Sequence, residues 1–454
     1  MNSSIFKAYD IRGVVPEDIN EAVVERIGRA FATYLRSETG KDMITLAVGQ
    51  DNRTHSPRLF AALAKGLLDA GATVVDIGLA STPFFYFAVS HLGLDGGINV
   101  TASHNPPEYN GLKCVRRNAE PLGVESGLEE IKKLALSENV LTSDRKGTMS
   151  KQDILPEYIE ENLALIPLSD VSSLKIAVDT GNGVSVLMIE ELMKARALRI
   201  VPLYFELDGT FPNHMPNPLL EKNIAVLKQT VVEQGCSCGI ALDADGDRSI
   251  FIDEQGHTVS SDILTALVAH ELLKTHPKET IVYDVRSSWA TREAIQESGG
   301  TPVISRVGHS FIKTVMKKEN ALFAGECSGH FYFRFGSLGY FEAPLLVIQT
   351  VCNLLAQSGK SFSSLLSPFQ RYTATGEINF TVDDKDAILK KIEETFSDAK
   401  NISHLDGITI EYDDWWCNVR PSNTEPLLRL NLEARTEAEK EKNYQKIRTI
   451  IAGA

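Results

Sequence analysis

The sequence predicts an α/β protein: three similar mixed α/β domains in series, followed by a C-terminal α+β domain. Three observations carry that reading. One unit is written three times, an apolar strand with an aspartate near its end, a polar turn, a helix and a further apolar strand; the copies begin at Leu46-Ala47-Val48-Gly49-Gln50-Asp51, Ile176-Ala177-Val178-Asp179 and Ile281-Val282-Tyr283-Asp284. From about Phe369 the pattern changes, because Glu377-Ile378-Asn379-Phe380-Thr381-Val382 and Leu427-Leu428-Arg429-Leu430-Asn431-Leu432 alternate with period two around a helix-forming stretch. Finally, 454 residues exceed one ordinary core, at roughly 100 to 200 residues per domain.

In the first copy Leu59, Leu63, Leu67 and Leu68 recur at helical spacing before Ala72-Thr73-Val74-Val75-Asp76-Ile77, which reads as the next strand. Each copy is therefore a βαβ unit, and alternation of strand with helix favours parallel pairing. Residues 137–150 are charged and serine-rich, so the first domain is placed at 1–150. The helical Tyr158-Ile159-Glu160-Glu161-Asn162-Leu163 leads into a second domain, 151–256, which closes on the turn Asp253-Glu254-Gln255-Gly256. Ile263-Leu264-Thr265-Ala266-Leu267-Val268 opens a third, 257–368, as a helix. The remainder, 369–454, reads as an antiparallel α+β lid.

A formal charge of -14 argues against a nucleic-acid partner, since phosphate backbones reward basic surfaces. The start, Met1-Asn2-Ser3-Ser4-Ile5-Phe6-Lys7, lacks the features of a signal peptide, and no apolar run is long enough to span a bilayer, which places the protein in the cytoplasm with no membrane partner. Cysteines at 114, 236, 238, 327, 352 and 417 lack paired metal-ligand spacing, so reduced thiols fit better than a disulfide framework.

Four stretches carry chemistry. Thr101-Ala102-Ser103-His104-Asn105-Pro106-Pro107 follows the apolar run Gly97-Ile98-Asn99-Val100. A strand feeding such a turn presents a hydroxyl at the carboxyl edge of a sheet, which makes Ser103 a nucleophile candidate; the alternative is a capped turn. Asp243-Ala244-Asp245-Gly246-Asp247-Arg248 lies between two strand-like runs. In an extended loop its three carboxylates point one way and suit one hard divalent cation. An EF-hand is the rival, but Arg248 stands where that loop needs glycine, and strands rather than helices flank the site. A solvated acidic turn is the remaining alternative. Gly325-Glu326-Cys327-Ser328-Gly329-His330 offers a carboxylate and a hydroxyl two residues apart, suited to neighbouring sugar hydroxyls or to a turn without a ligand. Arg420-Pro421-Ser422-Asn423-Thr424-Glu425-Pro426 offers a planar two-pronged donor and neutral donors suited to phosphate, or again a plain turn. No Gly-x4-Gly-Lys-Ser/Thr loop is present and Gly181-Asn182-Gly183 lacks a third glycine, which disfavours ATP and NAD.

In this order, one per domain, the four stretches resemble the α-D-phosphohexomutase family, and within it the bacterial phosphomannomutase/phosphoglucomutase branch. Tyr9-Asp10-Ile11-Arg12-Gly13, Gly111-Leu112-Lys113 and Gly308-His309-Ser310 extend the resemblance over the whole chain. It implies four domains around a central cleft, the last closing over substrate. It further implies a mutase that interconverts hexose 1-phosphate and 6-phosphate, of mannose and/or glucose, through a phosphoserine at Ser103 and a 1,6-bisphosphate intermediate. Mg²⁺ would be held by Ser103, Asp243, Asp245 and Asp247, with glucose 1,6-bisphosphate as activator. By the same resemblance Arg12, Lys113, His309 and Arg248 line the transfer site, Lys113 and His309 being general acid/base candidates. A lysine beside Mg²⁺ and Arg248 is expected to lose its proton readily. Tyr9, His104, Arg286 and His330 contact substrate, Glu326 and Ser328 grip the 3- and 4-hydroxyls, and Arg420, Ser422, Asn423 and Thr424 hold the distal phosphate. The oligomeric state is left as monomer or dimer. Cys327, Arg286 and Ser337-Leu338-Gly339-Tyr340-Phe341 depart from the family pattern. Those departures keep open a phosphoglucosamine mutase and a non-catalytic sugar-phosphate sensor.

Overall fold

Apolar residues at helical spacing, Val24, Ile27, Phe31 and Leu35, make one buried face of the helix Glu21–Thr39. Asn20 caps its start by accepting from the backbone N–H of Val23, and Gly40, at φ 67°, ends it. The face packs on the helix Ser56–Asp69 through Leu59, Leu63 and Leu67, in a core that also holds Val48 and Ile98 from the sheet. The approach is so close that a Cβ on Gly66 would lie 2.1 Å from the Glu25 carbonyl oxygen.

A computed structural model describes residues 1–137, 142–196, 198–421 and 427–452. The chain divides into two units, Met1–Val259 with Ser328–Ser363, and Ser260–Cys327 with Ser364–Ala454.

In the first unit the strands Ile11–Val14, Tyr109–Arg116, Gly96–Val100, Thr45–Gln50, Thr73–Leu79 and Met149–Lys151 lie side by side in that order. Gly96–Val100 runs parallel to Thr45–Gln50 and antiparallel to Tyr109–Arg116, so residues 101–108 connect antiparallel neighbours. Register sets Asn99 opposite Lys113 and Arg12 opposite Gly111. At the end of the polar stretch, Met149–Lys151 adds a parallel strand beside Thr73–Leu79, covering what would otherwise be an exposed edge. The helix Thr82–His91, capped by Ser81, buries Phe84, Phe85, Tyr86 and Phe87 on every side.

A second sheet in this unit orders Thr258–Val259, Ser249–Ile252, Cys238–Leu242, Lys175–Asp179 and Arg199–Leu203. Lys175–Asp179 runs parallel to both Cys238–Leu242 and Arg199–Leu203, whereas Cys238–Leu242 and Ser249–Ile252 are antiparallel, so residues 243–248 form the turn between them. Phe331–Arg334 and Tyr340–Glu342 form an antiparallel pair, and the atypical Ser337-Leu338-Gly339 is its turn.

In the second unit Thr280–Asp284 lies between Thr301–Ser305 and Phe323–Gly325, parallel to both. Thr373–Thr381, Leu427–Ala434, Trp415–Pro421, Ile408–Glu411 and Asn401–Ser403 form an antiparallel sheet in that order. Its core holds Ile392, Phe396, Trp415, Val419 and Leu430, so the change of period near Phe369 does mark a different architecture. No helix among the described residues is long and apolar enough to cross a membrane.

Candidate active site

Strand register brings three elements of the first unit to one point. Ser103 stands just beyond the buried strand Gly96–Val100, at φ 49°, a left-handed conformation uncommon for a residue with a side chain. Its hydroxyl donates to Asp243 Oδ2 at 2.8 Å and lies 3.1 Å from His104 Nδ1. Arg12, on the strand Ile11–Val14 beyond Tyr109–Arg116, donates to Asn105 Oδ1 at 2.5 Å and pairs with Asp10, and Tyr9 precedes it in a half-buried bend.

Asp243, Asp245 and Asp247 each place a carboxylate oxygen within 4.8 Å of the others, all three being buried. They converge on a tight turn with Gly246 at φ 69°, not on the extended loop expected from alternation. Lys113 reaches this cluster from its strand, with Nζ 2.8 Å from Asp245 Oδ2 and 2.5 Å from Asp247 Oδ2. Arg248 donates its backbone N–H to Asp243 Oδ1 at 3.1 Å and bridges to His330. His330 Nε2 lies 3.3 Å from Asp247 Oδ1, and its Nδ1 lies 2.8 Å from the Ser328 hydroxyl. In the structure, therefore, Ser328 and His330 stand beside the aspartate turn.

Burial and the neighbouring charges of Asp247 and Asp245 push the Asp243 carboxyl well up, as crowded carboxylates require. Asp247 runs the other way: burial raises it, but Lys113 and His330 more than reverse that and hold it well below the usual range. The easy proton loss expected of Lys113 presupposes Mg²⁺ beside it; the protein's own charges act the other way. Burial disfavours its charge, yet Asp245 and Asp247 hold its pKa well above the ordinary value. Burial, with Arg248 and Arg12 close by, pushes His104 well down, so its imidazole is neutral near pH 7.

The donor set fits a divalent cation. Three carboxylates and a serine oxygen are hard oxygen ligands, and Asp245 Oδ1 is buried without a hydrogen-bond partner among the described residues. Thr82, which sequence reasoning missed, donates from Oγ1 to Asp245 Oδ2 at 2.6 Å and from its N–H to the Asp245 carbonyl at 2.8 Å. The pattern Ser81-Thr82-Pro83 ahead of an aromatic run was its signal, since it marks a capped helix start.

In the second unit Asp284 and Glu326 follow from neighbouring parallel strands. Asp284 accepts from Arg286 Nη2 at 2.7 Å and from the backbone of Arg286 and Cys327. Arg286 also donates to Glu326 Oε1 at 3.3 Å and lies 3.6 Å from Glu377 Oε2. Glu377 Oε2 accepts from Arg420 Nη2 at 2.6 Å, and its Oε1 accepts from Arg429 at 3.3 Å. Burial opposes the charges of Arg286 and Glu377, but their partners prevail: Asp284 raises the arginine and Arg420 lowers the glutamate. His309 begins the helix His309–Glu319, after Gly308 at φ 124°. Asp284 and Glu377 were missed as site residues because each reads locally as a strand position. Ser422, Asn423 and Thr424 lie outside the described residues.

The chain matches four family models in succession. These are phosphoglucomutase/phosphomannomutase alpha/beta/alpha domain I over residues 3–140, domain II over 156–256, domain III over 260–372, and the C-terminal domain over 377–449. A phosphomannomutase of Vibrio cholerae serotype O1 is 39% identical over 95% of this chain and 94% of its own. Phosphohexose mutases of Xanthomonas campestris pv. campestris are 38% identical over 100% of both chains. Among solved structures, a phosphoglucomutase/phosphomannomutase family protein from Burkholderia thailandensis superposes with a TM-score of 0.90 at 32% identity, covering 100% of this chain and 98% of that one.

Proposed function

The chain belongs to the phosphoglucomutase/phosphomannomutase family and is a mutase of hexose phosphates, and on that premise we propose that Ser103 carries the phosphoryl group it exchanges. The observation that carries the assignment is the Ser103 hydroxyl, 2.8 Å from one member of a buried three-carboxylate cluster. Phosphoryl transfer demands alignment and stabilisation of charge on the transferring oxygens. Asp243, Asp245 and Asp247, with a serine-bound oxygen, would hold Mg²⁺, which when bound withdraws that charge as a Lewis acid.

This chain's own residues supply the rest. Arg12 and Arg248 place guanidinium charge beside the serine loop for the phosphoryl oxygens. The Lys113 ammonium gives a proton to the oxygen leaving as sugar hydroxyl and recovers it from the hydroxyl that attacks the phosphoserine. Asp245 and Asp247, with their charges compensated by a divalent cation that they hold, would loosen the grip of Lys113 on that proton. His104, neutral and against the Ser103 hydroxyl, orients that oxygen, and Tyr9 lies beside the same loop. His330 and Ser328 serve the substrate from beside Asp247.

In the second unit Arg286 and Glu326 suit sugar hydroxyls, with His309 as a further acid/base candidate. Arg420, already gripping the Glu377 carboxylate, has the fork geometry for the distal phosphate; Ser422, Asn423 and Thr424 complete that loop in sequence. Relatives named phosphomannomutase favour mannose phosphate, with glucose phosphate as the second substrate and glucose 1,6-bisphosphate as activator.

Phosphorus NMR tests this with Mg²⁺, a trace of glucose 1,6-bisphosphate, and mannose, glucose or glucosamine 1-phosphate. Mannose and glucose phosphates should convert to 6-phosphates, and Ser103→Ala should abolish conversion. Turnover retained by Ser103→Ala overturns the assignment. Preference for glucosamine phosphate would make the chain a phosphoglucosamine mutase, and phosphorylated but inactive protein a sensor.

A further inference from the structure

We propose that Arg53 is a positioning residue for the nucleophile, a fully buried clamp whose guanidinium holds the backbone of the serine loop. The proposal rests on the reading of Ser103 as phosphoryl carrier.

Arg53 is 0% exposed, yet every N–H of its guanidinium is matched. Nε donates to Asp51 Oδ2 at 3.2 Å. Nη1 donates to the carbonyls of Pro106 at 2.7 Å and Tyr109 at 3.2 Å. Nη2 donates to the carbonyls of Ser103 at 2.6 Å and Asn105 at 2.7 Å. Five donors in a rigid plane meet five acceptors, four of them main-chain oxygens, three in the serine loop and the fourth at Tyr109, where the next strand begins. An arginine is rarely buried whole, and here a single carboxylate partner leaves the loop carbonyls as the rest of its solvation.

The clamp is itself fastened. Asp51 Oδ1 accepts from the backbone of Arg53 at 3.1 Å and from the Ser56 hydroxyl at 2.5 Å, and Asn110 donates to Ser56 Oγ at 3.0 Å. The Phe211 ring stacks on the guanidinium with its centroid 4.9 Å away. What the clamp fixes is the carbonyl of Ser103, the residue at φ 49°. A left-handed serine relaxes toward ordinary backbone unless its surroundings over-determine it, and that relaxation would swing Oγ away from Asp243. Lysine cannot replace the clamp, because three donors on a flexible stem cannot satisfy five acceptors in a plane.

The test uses the full-length enzyme with Mg²⁺ and glucose 1,6-bisphosphate, comparing Arg53→Lys, Arg53→Ala and Ser103→Ala. Misplacement of a reacting group by about 1 Å costs on the order of 100-fold in rate. Arg53→Lys should therefore lose kcat by about that factor while KM for glucose 1-phosphate stays within about threefold. Low millimolar guanidinium, too dilute to denature, should restore part of kcat in Arg53→Ala by refilling the vacated site. A purely structural arginine would lower the folded fraction without this split or rescue. Arg53→Lys with parental kcat, or a loss of activity that only tracks the loss of folded protein, overturns the clamp. If Arg53→Ala does not fold, the lysine variant decides alone. Parental turnover in Ser103→Ala instead overturns the serine reading, so the two failures are distinguishable.

Discussion

In the aspartate turn, Asp245 Oδ1 is a carboxylate oxygen buried without a hydrogen bond among the described residues, while its twin already accepts from Thr82 and Lys113. Such an atom suits a cation better than water. Asp245→Asn removes one ligand charge and should weaken binding of Mn²⁺ alone at least about 100-fold, read by paramagnetic resonance in the absence of substrate. Unchanged affinity would place the metal elsewhere. His214 offers a second residue-scale test. Its Nε2 lies 3.1 Å from Asp179 Oδ2 and its Nδ1 2.8 Å from the Met215 carbonyl. Burial opposes the imidazolium, but Asp179 and that carbonyl prevail and raise its pKa above 6.5. A raised folded-state pKa means that the stabilisation is fully present below about 6.5 and fades as pH rises through the higher folded value. The Tm advantage of the parent over His214→Gln should thus be larger at pH 6 than at pH 9; an equal advantage at both would refute the pairing.

Among elements, the contact between Glu21–Thr39 and Ser56–Asp69 depends on a missing side chain. A Cβ on Gly66 would meet the backbone carbonyl of Glu25 at 2.1 Å, and a carbonyl oxygen in a helix cannot give way as a side chain does. Gly66→Ala should destabilise by about 1 to 3 kcal/mol, despite the better helix propensity of alanine. Urea titration measures it, and a neutral or stabilised variant would show that the helices separate freely. The helix Thr82–His91 illustrates a different dependence. It is apolar all round, so periodicity could not reveal which end mattered, and only its packing brings Thr82 to Asp245.

At the scale of the whole molecule, separate apolar cores answer to separate parts of the chain. One contains Phe31, Leu63 and Ile98, another Leu227, Val231 and Ile252, and a third Ile392, Phe396 and Leu430. Distinct cores need not melt as one. Differential scanning calorimetry should give a calorimetric enthalpy larger than the van't Hoff value, or resolved transitions. Equal enthalpies would mean that the cores unfold together.

The amino-acid sequence alone determined the repeated strand-turn-helix units, the antiparallel end segment, and the turns at Ser103, Asp243 and Glu326, because hydrophobic period and turn chemistry are local properties. Strands at Leu46, Ile176 and Ile281 were legible for that reason, since each apolar run is bounded by its own polar turn. Tertiary structure alone decided which charges meet. Lys113 binds two aspartates more than 130 residues away, Glu377 sits on Arg286 and Arg420, and Arg53 folds under the serine loop. No local pattern announces such pairs. A buried ion's state depends on its desolvation and on the partners that the fold delivers, which is why the sequence could name Lys113 without naming the two aspartates that hold its proton.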